Sequence, residues 1–399
     1  MPLPRVLVFS EAVTLAHLGR SFSLARRLRR SHQFEIGFAS ATVWNQLLGP
    51  HDLWCRTIHS ISPTTFMHRL DQGEPVYSTD ELEAYVREDE ALIAEFRPDV
   101  VIGDFRISLA ASARRCRVPY VAMTNAYWSP AAEPKFIVPD LPVTRLFGPK
   151  LAQAIIPFMV PSIFAVHSLK MNQFKKRLGL PWWELDLRKV YGDADYLWYT
   201  DLPNFVPIRS LPENHEFIGW VPWSPEVPLP SWWNTLHHDR PVVYVSLGSS
   251  GPARLLPQIL DSLGTLPITV IASGQPTGTL KNGRLLTSEM IPGDAVLDRC
   301  ALVICNGGSP SVQQALAHGI PALGIPRNLD QYLSMHYTEK AGAGLMIRSD
   351  QVTPERILEA VAKLLEAPEY RAAARKLQTD SRELSAVQSV ESLLSKIVF

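Results

Sequence analysis

Two glycines, Gly307 and Gly308, follow directly on the apolar run Leu302 to Cys305, and Ser309 and Pro310 come next. Without Cβ atoms, the glycine pair lets main chain approach a ligand closely. Ser309 is the expected N-cap of a helix, and Pro310 suits its first position. The start of a helix carries amides with no intrahelical acceptor, so a loop of this kind is a natural seat for phosphate. A second loop, Gly248, Ser249, Ser250 and Gly251, closes the apolar run "VVYVSL" and offers small hydroxyls and main-chain donors. Two such loops converging on one sheet edge suit a diphosphate better than a single phosphate. Neither is the GxxxxGK[ST] loop and neither contains a lysine, which disfavours ATP hydrolysis. The dinucleotide fingerprint GxGxxG is also missing after the first apolar run, where the chain reads "VFSEAVTLAHLG".

Strands and helices must position these loops, and the chain supplies both in alternation. In the first half "RVLVFS" (Arg5 to Ser10) reads as a strand entering the helical "HLGRSFSLARRLRR". "FEIGFAS", "PDVVIGD" and "PYVAMT" read as further strands, with "SLAASARRC" helical between the last two. In the second half "PVVYVSLG", "PITVIAS", "LVICNGG" and "PALGIP" are strands separated by helical segments. Continuous apolar runs alternating with helices predict parallel sheets covered on both faces. The fold class predicted is α/β, two Rossmann-like domains facing across a cleft, with ligands at the carboxyl ends of the strands. Between Leu202 and Pro241 the prolines are too dense for a helix or a central strand, which predicts a linker over the surface. The expected division is a first domain over 1–215, a linker over 216–240, a second domain over 241–380 and a closing helix over 381–399.

The totals exclude several classes of function. At 399 residues there is room for two cores, and 46% hydrophobic with 20% charged residues is an ordinary globular balance. A formal net charge of +0 gives no global attraction to nucleic acid. The basic run Arg26 to Arg30 reads as a solvated helix face. Cys55, Cys116, Cys300 and Cys305 form no CxxC pair, so neither a disulfide framework nor a zinc site is expected, and a cytoplasmic location fits. The first apolar run is too short for a signal peptide and Glu11 interrupts it. No charge falls between Lys150 and Lys170. Pro157 and Pro161 interrupt that stretch, which reads as a buried or pocket-lining helix and not as an integral membrane segment.

From Met290 to Gly344 the chain resembles the donor-binding signature of inverting nucleotide-sugar glycosyltransferases of the GT-B fold, the UDP-glycosyltransferase-like enzymes that decorate natural products. The family pattern His-Gly-Gly-x-Gly-Thr-x-x-Glu-Ala-Leu, then Gly-x-Pro, then Asp-Gln, falls on Asn306, Gly307, Gly308, Pro310, Ser311, Gln314, Ala315, Leu316, Gly319, Pro321, Asp330 and Gln331. The resemblance implies that Asn306 to Ser311 hold the donor diphosphate, with Ser249 and Ser250 beside them. It implies that residue 314 faces the ribose, that Asp330 and Gln331 read sugar hydroxyls, and that main chain near Met290 and Ile291 meets the base. Two positions depart from the pattern: Asn306 stands where His is usual, and Gln314 where Glu is usual. A carboxylate accepts from both ribose hydroxyls, whereas Gln314 offers one acceptor oxygen and a donor. The departure favours a deoxythymidine diphosphate (dTDP) donor while leaving a uridine diphosphate (UDP) donor open.

The same resemblance places a catalytic base across the cleft. His17 stands where the family carries a His soon after the first strand, although Ala16 replaces the usual Gly before it, and Asp104 directly follows "PDVVIG". Asp104 would fix the imidazole tautomer and support the imidazolium. Glu11 is the alternative base. The implied reaction is a single in-line displacement with inversion, the nucleotide sugar being a substrate, so no cofactor is needed. Asp193-Ala-Asp195 lies away from the donor signature, and no metal is expected there. The acceptor is expected to be a small, apolar molecule held by Asn125 to Pro130 and by the stretch after Lys150. The closing helix would cross back to the first domain. Two other readings remain: a nucleotide-sugar 2-epimerase of the same fold, and a non-catalytic sugar-nucleotide-binding partner of another transferase.

Overall fold

Short apolar runs without polar alternation suit strands covered on both faces, and in the computed structural model such runs build two seven-stranded sheets. The structure describes residues 2–133, 136–140, 144, 146, 148–236, 239–274, 278–280, 284–384 and 386–398. The first sheet contains β1 (Arg5–Ser10), β2 (Glu35–Ser40), β3 (Trp54–Thr57), β4 (Val100–Asp104), β5 (Tyr120–Thr124), β6 (Tyr196–Tyr199) and β7 (His215–Phe217). Their order is β3-β2-β1-β4-β5-β6-β7, and neighbours run parallel. The second contains β8 (Val242–Ser246), β9 (Thr269–Ser273), β10 (Gly278–Leu280), β11 (Leu285–Ser288), β12 (Leu302–Cys305), β13 (Ala322–Gly324) and β14 (Gly344–Met346). Its order is β10-β11-β9-β8-β12-β13-β14. The edge strand β10 is antiparallel to β11, and the other pairs are parallel.

The first half carries the helices α1 (Leu15–Arg30), α2 (Pro63–Gln72), α3 (Thr79–Phe96), α4 (Leu109–Cys116), α5 (Pro149–Arg177) and α6 (Leu187–Tyr191). The second half carries α7 (Leu256–Leu263), α8 (Gly293–Leu297), α9 (Ser309–Ala317), α10 (Leu329–Lys340), α11 (Pro354–Glu366), α12 (Pro368–Glu383) and α13 (Ala386–Val398). Local sequence starts several of them. Ser78 and Glu81 close a capping box on α3, and Asn328 and Gln331 do the same for α10.

The proline-rich stretch is not featureless. β7 lies inside it and pairs with β6, so the first sheet ends at Phe217, past the boundary expected at 215. Proline density forbids a central strand but tolerates three residues at a sheet edge. Residues 237 and 238 of the expected linker lie outside the described residues.

A further difference concerns α5, whereas α13 crosses back to the first domain as expected. Pro157 and Pro161 do not interrupt α5, which runs unbroken from 149 to 177. Nor is it buried: Phe164, Met171 and Phe174 face inward, but Leu151, Ile155, Phe158, Met159, Val166 and Leu169 are exposed. Solvent on that face can satisfy carbonyls left without a partner by the two prolines. At the other end of the chain, α13 packs Ala386, Val390 and Leu394 into a core that includes Leu18, Phe22 and Ala25 of α1. Each fully buried Val or Leu contributes about 1.5–3 kcal/mol, so α13 fastens the end of the chain to the first sheet.

The approach to α13 passes Gly219, whose φ of +83° lies in the left-handed region and whose ideal Cβ would sit 2.5 Å from the Leu384 carbonyl oxygen. Both the backbone angle and the contact require glycine. Gly219→Ala is expected to lower stability by about 1–3 kcal/mol, read as a shift in the urea midpoint. A midpoint equal to the parent's would show that the crossover between the halves is not held in this way.

Candidate active site

In an open parallel sheet, a crevice opens where the strand order reverses. The first sheet reverses between β1 and β4, whose ends are in register at Ser10 and Asp104. The second reverses between β8 and β12, in register at Ser246 and Cys305. The loops after these four strands carry the candidate residues. His17 sits in the first turn of α1, the helix that follows β1, and Asp104 ends β4.

His17 Nδ1 lies 2.8 Å from Asp104 Oδ1. An ionised carboxylate only accepts, so Nδ1 carries a proton, and in the neutral ring Nε2 is then the atom with a lone pair. The imidazole is partly exposed, whereas Asp104 is fully buried. Burial alone would raise the Asp104 carboxyl. The Arg20 guanidinium and then His17 overcome this and hold it below the usual carboxylate range. Arg20 does so bidentately, with Nε 2.8 Å from Oδ2 and Nη2 2.6 Å from Oδ1. The Phe105 ring stacks on the imidazole at 4.8 Å and 10°. Phe105 itself has φ +59°, unfavourable for a bulky residue. The next residue, Arg106, anchors the turn by reaching Glu11 Oε2 at 2.8 Å, Asp89 Oδ1 at 3.0 Å and the His59 carbonyl at 2.6 Å. Glu11, the alternative base, is therefore fully buried in an ion pair with Arg106 and also accepts from Tyr85 Oη. It does not reach the cleft.

The dyad continues across to the second sheet. Arg20 Nη1 donates to Thr200 Oγ1 at 2.7 Å and to Asn125 Oδ1 at 3.2 Å. The same Asn125 oxygen accepts from Ser309 Oγ at 3.1 Å, at the start of α9. Beside this line, Gln313 Nε2 donates to the Thr200 carbonyl and to Asp201 Oδ1, each at 2.9 Å. Asp201 Oδ2 also accepts from the Ala126 amide at 2.7 Å and from Asn125 Nδ2 at 3.2 Å.

The donor-loop residues have the following places. Ser309 is the first residue of α9 and Gly308 is its N-cap, so Ser309 does not cap the helix as expected; its hydroxyl is turned to Asn125. Asn306 Oδ1 accepts from the Gly308 amide at 3.0 Å and Asn306 Nδ2 donates to Ser250 Oγ at 3.2 Å, which ties the two loops together. Gly307, at φ +78°, would set a Cβ 2.6 Å from Met335. Ser249 is exposed, and Ser311 is half-buried in the first turn of α9. Gln314 Nε2 donates to the Trp223 carbonyl at 3.1 Å and to Asp294 Oδ1 at 2.9 Å. Ile291 is buried in the core beneath β11 and α8. Asp330 Oδ1 accepts from Trp128 Nε1 at 2.8 Å and Tyr127 Oη at 3.1 Å, both from the first domain. Asp330 is not the cap of α10; that role belongs to Asn328. Gln331 completes the capping box through Oε1 and points Nε2 at Ser250, 3.3 Å from its hydroxyl. The structure thus brings Ser250, Asn306, Gly308 and Gln331 together. It sets Ser309 against Asn125 and Asp330 against Trp128.

A small cavity beside the dyad is lined by Tyr77, Phe105, His167, Met171 and Tyr191, so the inner face of α5 reaches it. The Tyr77 hydroxyl there is buried without a hydrogen-bond partner among the described residues. A larger cavity of about 670 Å³ lies between Trp182, Trp183, Arg188 and His215, and none of the dyad or donor-loop residues lines it. Asp193 is engaged by Arg114 and Lys175, and Asp195 by the Tyr120 amide.

Arg20, Asn125 as a junction, Asp201, Gln313 and Phe105 are site residues that sequence reasoning missed. Arg20 had a signal, since it lies one turn after His17 and so shares its helix face. The others depend on segments far apart in the chain.

Residues 257–392 match the family model described as erythromycin biosynthesis protein CIII-like, C-terminal domain. A PGL/p-HBAD biosynthesis glycosyltransferase of Mycobacterium tuberculosis (strain ATCC 25177 / H37Ra) is 42% identical over 375 residues, covering 94% of this chain and 87% of that protein. A PGL/p-HBAD biosynthesis rhamnosyltransferase of Mycobacterium bovis (strain BCG / Pasteur 1173P2) is also 42% identical, covering 94% and 83%. Among solved structures, the spinosyn rhamnosyltransferase SpnG complexed with thymidine diphosphate superposes with a TM-score of 0.66 at 19% identity, over 98% of this chain and 100% of that one.

The seam gives a test of its own. Burial pushes the Asp201 carboxyl up to about 7, against the opposing bonds from Ala126 and Asn125. A folded-state pKa above the unfolded one favours the neutral acid, so this contribution to stability is full below about pH 4 and is lost as pH rises through about 7. Asn at 201 stays neutral throughout. Urea midpoints measured in steps over that window should fall less for Asp201→Asn than for the parent. Parallel profiles would show that Asp201 is ionised in the fold without penalty.

Proposed function

This chain belongs to the natural-product glycosyltransferases of the GT-B fold, and from that premise we propose that it transfers a sugar from a nucleoside diphosphate to a hydroxyl of a small apolar acceptor, with inversion. One observation carries the reading: an unbroken hydrogen-bonded line from His17 through Asp104, Arg20 and Asn125 to Ser309. It sets the His17 imidazole on one sheet against a helix N-terminus on the other, which supports a base facing a leaving-group seat.

In the proposed reaction the acceptor hydroxyl lies against His17 Nε2 and gives up its proton as its oxygen bonds to the anomeric carbon. The bond from that carbon to the diphosphate oxygen breaks on the opposite face. First-turn amides of α9 and the hydroxyls of Ser250 and Ser311 receive the charge that develops on the leaving group. In this reading these donors serve in place of a metal. Asp104 keeps Nδ1 protonated and stabilises the imidazolium, and Arg20 keeps Asp104 ionised. Asp330 and Gln331 hold the sugar, which requires Asp330 to exchange Tyr127 and Trp128 for sugar hydroxyls. The cavity at Tyr77 and Phe105, about 30 Å³, has room for little more than water. In this reading it marks the edge of an acceptor site that widens as the acceptor enters, where the Tyr77 hydroxyl can meet a polar group on it.

The donor reading favours a dTDP sugar. Gln314 spends its amide hydrogens on Trp223 and Asp294, leaving one acceptor oxygen for a ribose where a carboxylate would offer two. The named activities of the M. bovis relative and of SpnG make rhamnose the sugar to try first. Titration calorimetry of the parent should give a lower Kd for dTDP than for UDP. Equal or tighter binding of UDP would overturn the ribose argument and leave the rest of the site reading in place.

The catalytic reading is tested by paired measurements on folded variants, with a chelator present throughout. His17→Ala should keep donor affinity and lose about 10²–10⁴-fold in turnover, the range for a positioned base. Asp104→Asn should also lose turnover, because an amide cannot neutralise the imidazolium. Parent-rate turnover by His17→Ala would remove the dyad from the mechanism. Loss of parent activity on adding the chelator would remove the metal-free step. Sugar nucleotide rearranged without transfer would point instead to an epimerase.

A further inference from the structure

We propose that the outer face of α5 docks on an anionic lipid surface, and that the acceptor reaches the site from that side. The proposal draws on the acceptor reading above only for its second clause. Leu151, Ile155, Phe158, Met159, Val166 and Leu169 recur at helical spacing, and all are exposed. Phe158 is 87% and Val166 55% exposed. At 1.5 Å per residue the stripe from 151 to 169 is about 27 Å long. A soluble protein rarely leaves so continuous an apolar strip without a partner.

The charges around the strip decide what covers it. From Pro149 to Arg177 there is no Asp or Glu, whereas Lys150, Lys170, Lys175, Lys176 and Arg177 all belong to the helix. Lys175 is turned inward to Asp193, and Arg177 is paired with Asp80 and Glu83. Lys150, Lys170 and Lys176 are exposed at the two ends of the strip. A second copy docking face to face would bring lysines against lysines, because a two-fold contact repeats the same patch. Anionic headgroups complement them, and acyl chains complement the strip between them. Beyond the helix, Trp183 is 71% exposed, an amphipathic ring of the kind enriched at membrane interfaces.

The helix lies on such a surface and does not cross it. Its inner face is committed to the protein, with Phe164, Met171 and Phe174 buried and Asn172 bonded to the Glu184 main chain. That inner face also brings His167 and Met171 to the cavity that contains Phe105, the ring stacked on His17. One helix therefore shows one face to the lipid and another to the acceptor cavity. An apolar acceptor dissolved in a bilayer would pass from the first to the second with little exposure to water.

The test is co-sedimentation of the full chain with vesicles, without donor or acceptor. The parent is expected to pellet with vesicles of phosphatidylcholine and phosphatidylglycerol, and less with phosphatidylcholine alone. Phe158→Asp and Val166→Asp should each lower partition by about tenfold or more, since each removes apolar burial and adds a repelled charge. Lys150→Glu should weaken binding only to the anionic vesicles. Both aspartate variants replace exposed side chains, and circular dichroism checks their fold. With a water-soluble acceptor they should turn over at the parent rate. With an acceptor embedded in vesicles they should lose rate. A parent that stays in the supernatant, or Phe158→Asp partitioning like the parent, overturns the proposal. A concentration-dependent dimer that Phe158→Asp dissolves, with no vesicle binding, assigns the strip to a second copy instead. Since partition is read without turnover, its failure leaves the transferase reading standing, and failure of turnover leaves docking standing.

Discussion

A carboxylate at the end of a fully covered strand is the constraint around which this molecule is organised. Asp104 has no access to water, and an isolated charge there would be costly enough to neutralise itself. Arg20 prevents this by closing on both oxygens, and its remaining nitrogen must then be satisfied as well. Thr200 and Asn125 do so, and they lie on the loops after β6 and β5. A buried ion pair of this sort adds little net stability over apolar residues of similar size, but removing one partner costs about 3–5 kcal/mol. Its main effect is geometric, because it fixes the imidazole that leans on Asp104.

The same logic extends over the cleft. Asn125 is used from three sides: its oxygen serves Arg20 and Ser309, and its amide serves Asp201. Gln313, on the same helix as Ser309, reaches Asp201 and Thr200. The two sheets are therefore joined by polar groups that each have a defined partner, close to where the chemistry is proposed. The aromatic part of the joint is at Tyr337, on which Tyr127 stacks at 6.5 Å and against which Phe205 tilts at 6.4 Å. A joint of individually paired polar groups can loosen bond by bond while the aromatic packing at Tyr337 holds.

The parts of this arrangement visible in the sequence are those encoded over a few residues. Gly307 and Gly308 after "LVIC" mark a close main-chain approach, and the alternation of apolar runs with helices marks two parallel sheets. His17 and Asp104 were singled out on the family resemblance, which sets a His soon after the first strand and an Asp at the end of a later one. Arg20 was within reach, being one turn from His17, but nothing in a single chain says which buried acid an arginine will find. Asn125, Asp201 and Gln313 were hidden for a stronger reason, since the contact from Asn125 to Ser309 spans 184 positions. Hydropathy likewise marked the uncharged stretch between Lys150 and Lys170, but neither the extent of α5, which runs on through both prolines, nor its orientation. A run apolar on every side reads as buried until the packing shows which face is left over. The small error at β7 has the same origin, because proline statistics separate central strands from linkers and are silent about edges.

The bond between Gln314 and Asp294 has a consequence for how this pocket could change. Asp294 is held ionised by His318 and by the Gln314 amide. A glutamate at 314 would lose that amide and set its own charge beside Asp294, with the Trp223 carbonyl as a further lone pair facing it. Replacing Asp294 first, by Asn or Ser, removes the conflict and makes the acid at 314 tolerable. The two positions are thus coupled, and an acid at 314 sits more comfortably once 294 has become neutral.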